Sequence, residues 1–170
     1  FSIIFLTFVK EINCIMKLYH GSNVVIEEID LAKCKPYKDF GQGFYLTEIK
    51  EQAFEMAKRT AKIYGGNPVV NEFEFDELAL DYLNVKCFDE PSEEWALFVM
   101  ANRSKNNVHP THMFDIVIGP VADDTIATLF RNFDDGIIDL SMLVNGLRYK
   151  KISSQYFFHS AVAIKYLKKL

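Results

Sequence analysis

Apolar residues come in short parcels along this chain. From Met16 onward the runs have strand length, and Gly, Pro or a polar cluster closes each one. No uninterrupted apolar run approaches the roughly 18 residues of a membrane span. Two longer segments, 48–64 and 91–103, instead carry apolar residues at spacings of three and four, the signature of an amphipathic helix. Short strands interspersed with a few helices, without a repeat or a linker, imply one α+β domain. The length of 170 residues fits that organisation. A hydrophobic content of 49% supplies a core and excludes intrinsic disorder. The net charge of −4 excludes a strong non-specific nucleic-acid binder, although a local basic patch around Arg148, Lys150, Lys151, Lys165, Lys168 and Lys169 stays open. The cysteines Cys14, Cys34 and Cys87 are odd in number and far apart, which fits a reduced, cytoplasmic chain rather than a disulfide framework.

Residues Phe1 to Val9 read FSIIFLTFV. No basic residue precedes this run and no small-x-small site follows it, so it lacks the plan of a signal peptide. Residues 1–15 are expected to be an upstream extension, with Met16 opening the domain. The alternative is an additional strand or helix packed on the domain.

The expected elements follow from pattern. Strands are expected at 15–19, 43–47, 69–75, within 78–85, at 114–118 and at 155–158. Helices are expected at 48–64, capped by Thr47 and ended by Gly65-Gly66, at 91–103, 123–133, 139–145 and 161–170. On the first helix Ile49, Ala53, Met56, Ala57, Thr60 and Ile63 form the expected inward face.

Three segments put polar groups at strand ends. Tyr19-His20-Gly21-Ser22 sets an imidazole beside a backbone that a ligand can approach closely. Asp39-Phe40-Gly41-Gln42-Gly43-Phe44-Tyr45-Leu46-Thr47 combines paired glycines with a flat aromatic ring. Its GxG has no preceding strand and no third Gly, so a dinucleotide-binding Rossmann fingerprint is rejected. Ser153-Ser154-Gln155-Tyr156-Phe157-Phe158 starts an aromatic strand with an amide. Taken singly, each also reads as an ordinary turn, hairpin loop or surface strand end. His109, His112 and Asp115 stand at intervals of three, but Pro110 makes a surface turn the better reading, and no metal is expected.

In order, the three segments resemble ADP-ribosyltransferases of the diphtheria-toxin and poly-ADP-ribose-polymerase type. LYHGS is similar to that superfamily's His motif on the first core strand. FGQGFYLTEIKEQAFEMAK is similar to its Tyr motif and following helix. SSQYFFHSAVAIKYLKKL is similar to the late strand that begins with Glu. More narrowly, Met16 to Leu170 resembles a bacterial family of uncharacterised ADP-ribosyltransferase-like domains, also through DIVIGPVADD and QYFF.

The resemblance implies two small packed β-sheets with flanking helices, with NAD as substrate. It implies that His20 hydrogen-bonds the adenosine ribose hydroxyls and that the Gly21 backbone holds the nicotinamide carboxamide. Tyr45 would stack on the nicotinamide ring and Phe54 or Met56 would cover its other face. Ser22 and Gly43 would be further contacts. Gln155 stands where the superfamily places Glu. An amide oxygen accepts the same hydrogen bond without the charge, a loss of about 1–2 kcal/mol, or roughly tenfold in rate. Asp115, Asp123 and Asp124 are candidate compensating carboxylates, although an Asp-rich helix start explains them as well. The implied activity is mono-ADP-ribosyl transfer to a macromolecular acceptor, in a toxin paired with a small neutralising partner protein. A catalytically silent NAD- or nucleotide-binding interaction module is the alternative.

Overall fold

The computed structural model describes residues 14–107, 109–148 and 152–170. Its architecture is α+β, with two small sheets and six helices among the described residues. Sheet A orders β1 (Ile15–Ser22), β3 (Val69–Asp76) and β7 (Leu167–Lys169) side by side, with β3 in the middle. Sheet B runs β2 (Phe44–Leu46), β6 (Ser154–Phe158), β5 (Ile116–Pro120), β4 (Val85–Cys87). Every pairing is antiparallel except β4 with β5.

The aromatic strand β6 is the centre of the molecule. Alternation sends successive side chains to opposite faces. Tyr156 and Phe158 join Leu18, Phe44, Phe73 and Phe75 in one core cluster that spans both sheets. Phe157 joins Phe40, Trp95, Val117, Ile126 and Leu147 in a second. That second cluster is roofed by α3 (Glu93–Arg103), α4 (Asp124–Asp134) and α5 (Leu140–Leu147). Each of these helices starts on a side-chain cap: Ser92, Asp123 and Asp139 accept from the N–H three residues on.

Helix α1 (Lys50–Tyr64) lies on the opposite face of β1 from Leu18. It buries Ala53 and Ala57, while Ile49, Met56 and Ile63 of the expected inward face are exposed. The reason is its distance from the strand. A Cβ on Gly21 would fall 1.9 Å from the Ala53 carbonyl oxygen, so only a strip of small residues fits against β1. Thr47 does not cap α1; its Oγ1 accepts from Ile49 N ahead of the helix at 3.1 Å.

Other boundaries also differ from expectation. The 78–85 segment forms a short helix, α2 (Ala79–Tyr82), before β4. Strand β5 continues through Gly119-Pro120, because Gly119 and Pro120 still stand opposite Gln155 and Ser154 of β6. The expected 161–170 helix stops at Ile164 as α6 (Ala161–Ile164), and the chain re-extends as β7 to pair the free edge of β3. At the other end, Ile15 already pairs with Asp76 and the Cys14 carbonyl accepts from Glu77 N at 2.9 Å. The expected extension thus meets sheet A two residues before Met16. Its residues 1–13 lie outside the described ones. All three cysteines are free thiols, and no described helix is long and apolar enough to cross a membrane.

Candidate functional site

Sheets A and B touch edge to edge at one antiparallel bridge. Tyr19 N donates to Thr47 O at 2.8 Å and Thr47 N to Tyr19 O at 2.9 Å. Backbone groups alternate sides along a strand, so Gly21, two residues on, turns its N–H and C=O to the same side as Tyr19. The far ladder agrees, since Glu72, opposite Tyr19, gives its carbonyl to Leu170 N, away from β1. Continued register would set Gly21 opposite Tyr45. The ladder does not continue that far: the bridge at Tyr19 and Thr47 is isolated and the two strands belong to different sheets, so they part beyond it with the Gly21 N–H and C=O and the Tyr45 N–H turned toward the parting.

The imidazole of His20 is wedged at this parting. Its Nδ1 lies 2.7 Å from the Tyr45 carbonyl oxygen, and its ring stacks on Phe44 with centroids 4.4 Å apart. A carbonyl only accepts, so Nδ1 carries the hydrogen and Nε2 a lone pair. Burial pushes the His20 pKa below its ordinary 6.5, against a smaller opposite effect of the Tyr45 carbonyl. His20 is therefore neutral at pH 7, and its Nε2 is an acceptor.

Tyr45 points to the other face of sheet B. Its hydroxyl accepts from Phe40 N at 3.0 Å and donates to Gly41 O at 2.8 Å. Its ring packs on Phe157 at 4.8 Å. Burial pushes the hydroxyl well above its ordinary pKa of 10.0, so it stays protonated. Tyr45 thus holds the 39–43 loop down, and Phe40 also stacks beside its ring with centroids 6.3 Å apart. Other residues fasten the same loop: His112 Nε2 donates to Phe40 O at 2.7 Å, and His159 Nδ1 lies 2.9 Å from Gln42 O.

Gln155 meets this loop at a residue the sequence did not single out. Its Nε2 donates to Asp39 Oδ2 at 2.9 Å. Asp39 is buried and also accepts from Ala122 N at 3.1 Å and from Arg103 Nε and Nη2 at 2.9 and 2.6 Å. Asp39 heads the glycine-rich segment and Arg103 ends α3; nothing in the sequence pairs positions 64 apart. A second missed polar chain lies nearby, with Thr47 donating to Gln52 Oε1 at 3.0 Å and Gln52 Nε2 to Ser153 Oγ at 2.6 Å.

The remaining expected contacts divide. Gly21 is required by α1, and Gly43 by β6, since its Cβ would lie 2.4 Å from the Phe157 ring. Ser22 is buried and accepts from Val24 N at 3.4 Å. Phe54 and Met56 are both exposed. At about 100° per residue they flank the Ala53–Ala57 strip on opposite sides, so only one of them can border the gap. Met56 shares the side of Gln52, which reaches Ser153 just ahead of β6; Phe54 lies toward Lys58, whose Nζ sits over its ring. Of the candidate compensating aspartates, Asp115 accepts from Asn84 N, Asp123 caps α4, and Asp124 is exposed in the first turn of that helix. His112 uses both ring nitrogens on backbone groups, Phe40 O and Phe114 N. No metal-binding group of three His, Cys, Asp or Glu occurs among the described residues.

The chain belongs to the family described as a protein of unknown function, DUF3990, whose model matches residues 16–169. No curated protein and no solved structure matches it.

Proposed function

We propose that this DUF3990 chain binds NAD across the parting of β1 and β2 and transfers its ADP-ribose to a macromolecule. The observation that carries this reading is the set of polar groups turned toward the parting, where the bridge between the two sheets is not continued. The Gly21 N–H and C=O are a donor and an acceptor side by side, the complement of a carboxamide. The His20 Nε2 lone pair is an acceptor for a sugar hydroxyl. The resemblance of LYHGS and GQGFYLT to the ADP-ribosyltransferase motifs gives those groups their ligand.

In the reaction the bond from ribose C1′ to the nicotinamide nitrogen breaks. Its electron pair neutralises the pyridinium, and the cationic ribose is taken by an acceptor oxygen or nitrogen that then loses its proton. This chain contributes geometry: it holds the carboxamide and orients the ribose. The Gln155 amide oxygen would accept from the nicotinamide-side ribose. It carries no charge, so turnover is expected to be slow. The family likeness extends the proposal to a cytoplasmic toxin held in check by a small protein partner.

One observation favours the silent-module alternative: Gln155 is neutral, and its NH₂ is already engaged by Asp39. Incubation with NAD labelled in its adenylate phosphate separates the two. Active transfer predicts nicotinamide release and label on lysate protein or nucleic acid, both lost in His20→Ala. Calorimetric NAD binding with release at the buffer's rate makes the chain a binding module. Neither binding nor release overturns both.

A further inference from the structure

The two ends of a glutamine amide have nearly the same shape and opposite chemistry. At Gln155 the surroundings choose between them. Every bond to the Asp39 carboxyl comes from a donor: its Oδ1 takes two donors of the Arg103 guanidinium, and its Oδ2 takes Ala122 N. The Pro120 carbonyl, 3.4 Å from Nε2, only accepts. The NH₂ end of Gln155 is therefore held inward and Oε1 is left over. Oε1 has no partner among the described residues, and it is not walled off: the buried side-chain polar atom without a partner there is Trp95 Nε1.

We propose that Asp39, clamped by Arg103, is a positioning residue that fixes Gln155 with its carbonyl oxygen outward, so that this position selects a ligand hydroxyl and turns away a ligand carbonyl. That the hydroxyl belongs to the ribose of NAD rests on the function proposed above. The fixed amide does not. The same geometry makes Gln155→Glu by itself a poor gain of function, because the new carboxylate would meet Asp39 Oδ2 and one of the two would take up a proton.

Two measurements test this. In nuclear magnetic resonance spectra, the side-chain NH₂ pair missing from Gln155→Glu belongs to Gln155. In wild type it is expected to be protected from exchange. In Asp39→Asn, where an NH₂ replaces the accepting oxygen and turns the Gln155 amide around, that protection is lost. Nicotinamide release by Asp39→Asn is expected to fall about tenfold, the scale of one hydrogen bond, with NAD affinity changed less than about threefold. The Asp39→Asn/Gln155→Glu double variant again directs an acceptor outward, since the new amide donates to the new carboxylate, and it should recover release where Gln155→Glu alone does not. An unprotected amide in wild type overturns the positioning role and needs no folded variant. Lost protection with unchanged release, or no rescue by the double variant, overturns the selection of a hydroxyl. A protected amide in a wild type that binds no NAD overturns the NAD reading and leaves the positioning role standing.

Discussion

Replacing Gly21 with Ala tests the packing on which the gap depends. The added Cβ would lie 1.9 Å from the Ala53 carbonyl oxygen and 2.7 Å from Ala57 N. Ordinary contact begins at 3.4 Å, so α1 must retreat by 3.4 less 1.9, or 1.5 Å. Both atoms are helix backbone and cannot swing aside as a side chain would. Overpacking of a tight core costs about 1–3 kcal/mol, and a rigid obstacle places this change at the upper end. For a protein of this size each kcal/mol moves the melting temperature by roughly 2–4 °C. A loss of about 3 kcal/mol therefore lowers it by roughly 6–12 °C, measured by circular dichroism. The retreat also disturbs the backbone at Gly21, a group of the proposed NAD site, so NAD affinity is expected to fall with it. Ala53→Gly added to Gly21→Ala should restore nothing, because the obstacle is the Ala53 backbone oxygen and not its methyl group. A Gly21→Ala protein melting within about 2 °C of wild type would refute the close approach. So would full rescue by Ala53→Gly.

Acidification should weaken the fold through His20 and His112, whose pKa values lie below 6.5 chiefly because they are buried. The unfolded chain binds protons on both near pH 6.5 while the folded one does not, so stability is complete above that pH and falls as pH drops toward the lower folded values; urea midpoints between pH 7.5 and 5 measure it, and a flat profile contradicts it. Tyr45→Phe removes the hydroxyl that Phe40 N and Gly41 O share, leaves the buried Phe40 N–H unsatisfied and should cost about 1–3 kcal/mol. If Tyr45 serves NAD by its ring, Tyr45→Phe keeps the affinity and Tyr45→Ala weakens it, as calorimetry will read; equal affinities in all three proteins remove Tyr45 from the site.

The sequence by itself determined the class of fold and most of the elements. Period-two strands, caps and glycines are local signals, and β1, β2, β3, α1, α3, α4, α5 and β6 stand within a few residues of where those signals put them. It also placed His20, Gly21 and Tyr45 in two strand-end segments, though not that β1 and β2 meet there. Only the tertiary structure decided the rest. The Lys165–Leu170 segment has helical composition but becomes β7, because the edge of β3 offers backbone partners. Ile49, Met56 and Ile63 look inward by periodicity, yet Gly21 brings α1 so near that only Ala53 and Ala57 fit. The partner of Gln155 lay furthest from view. Asp39, Arg103 and Gln155 sit on a loop, a helix end and a strand start separated by long stretches of chain. A carboxylate finds its donors by proximity in space, and no local period records that.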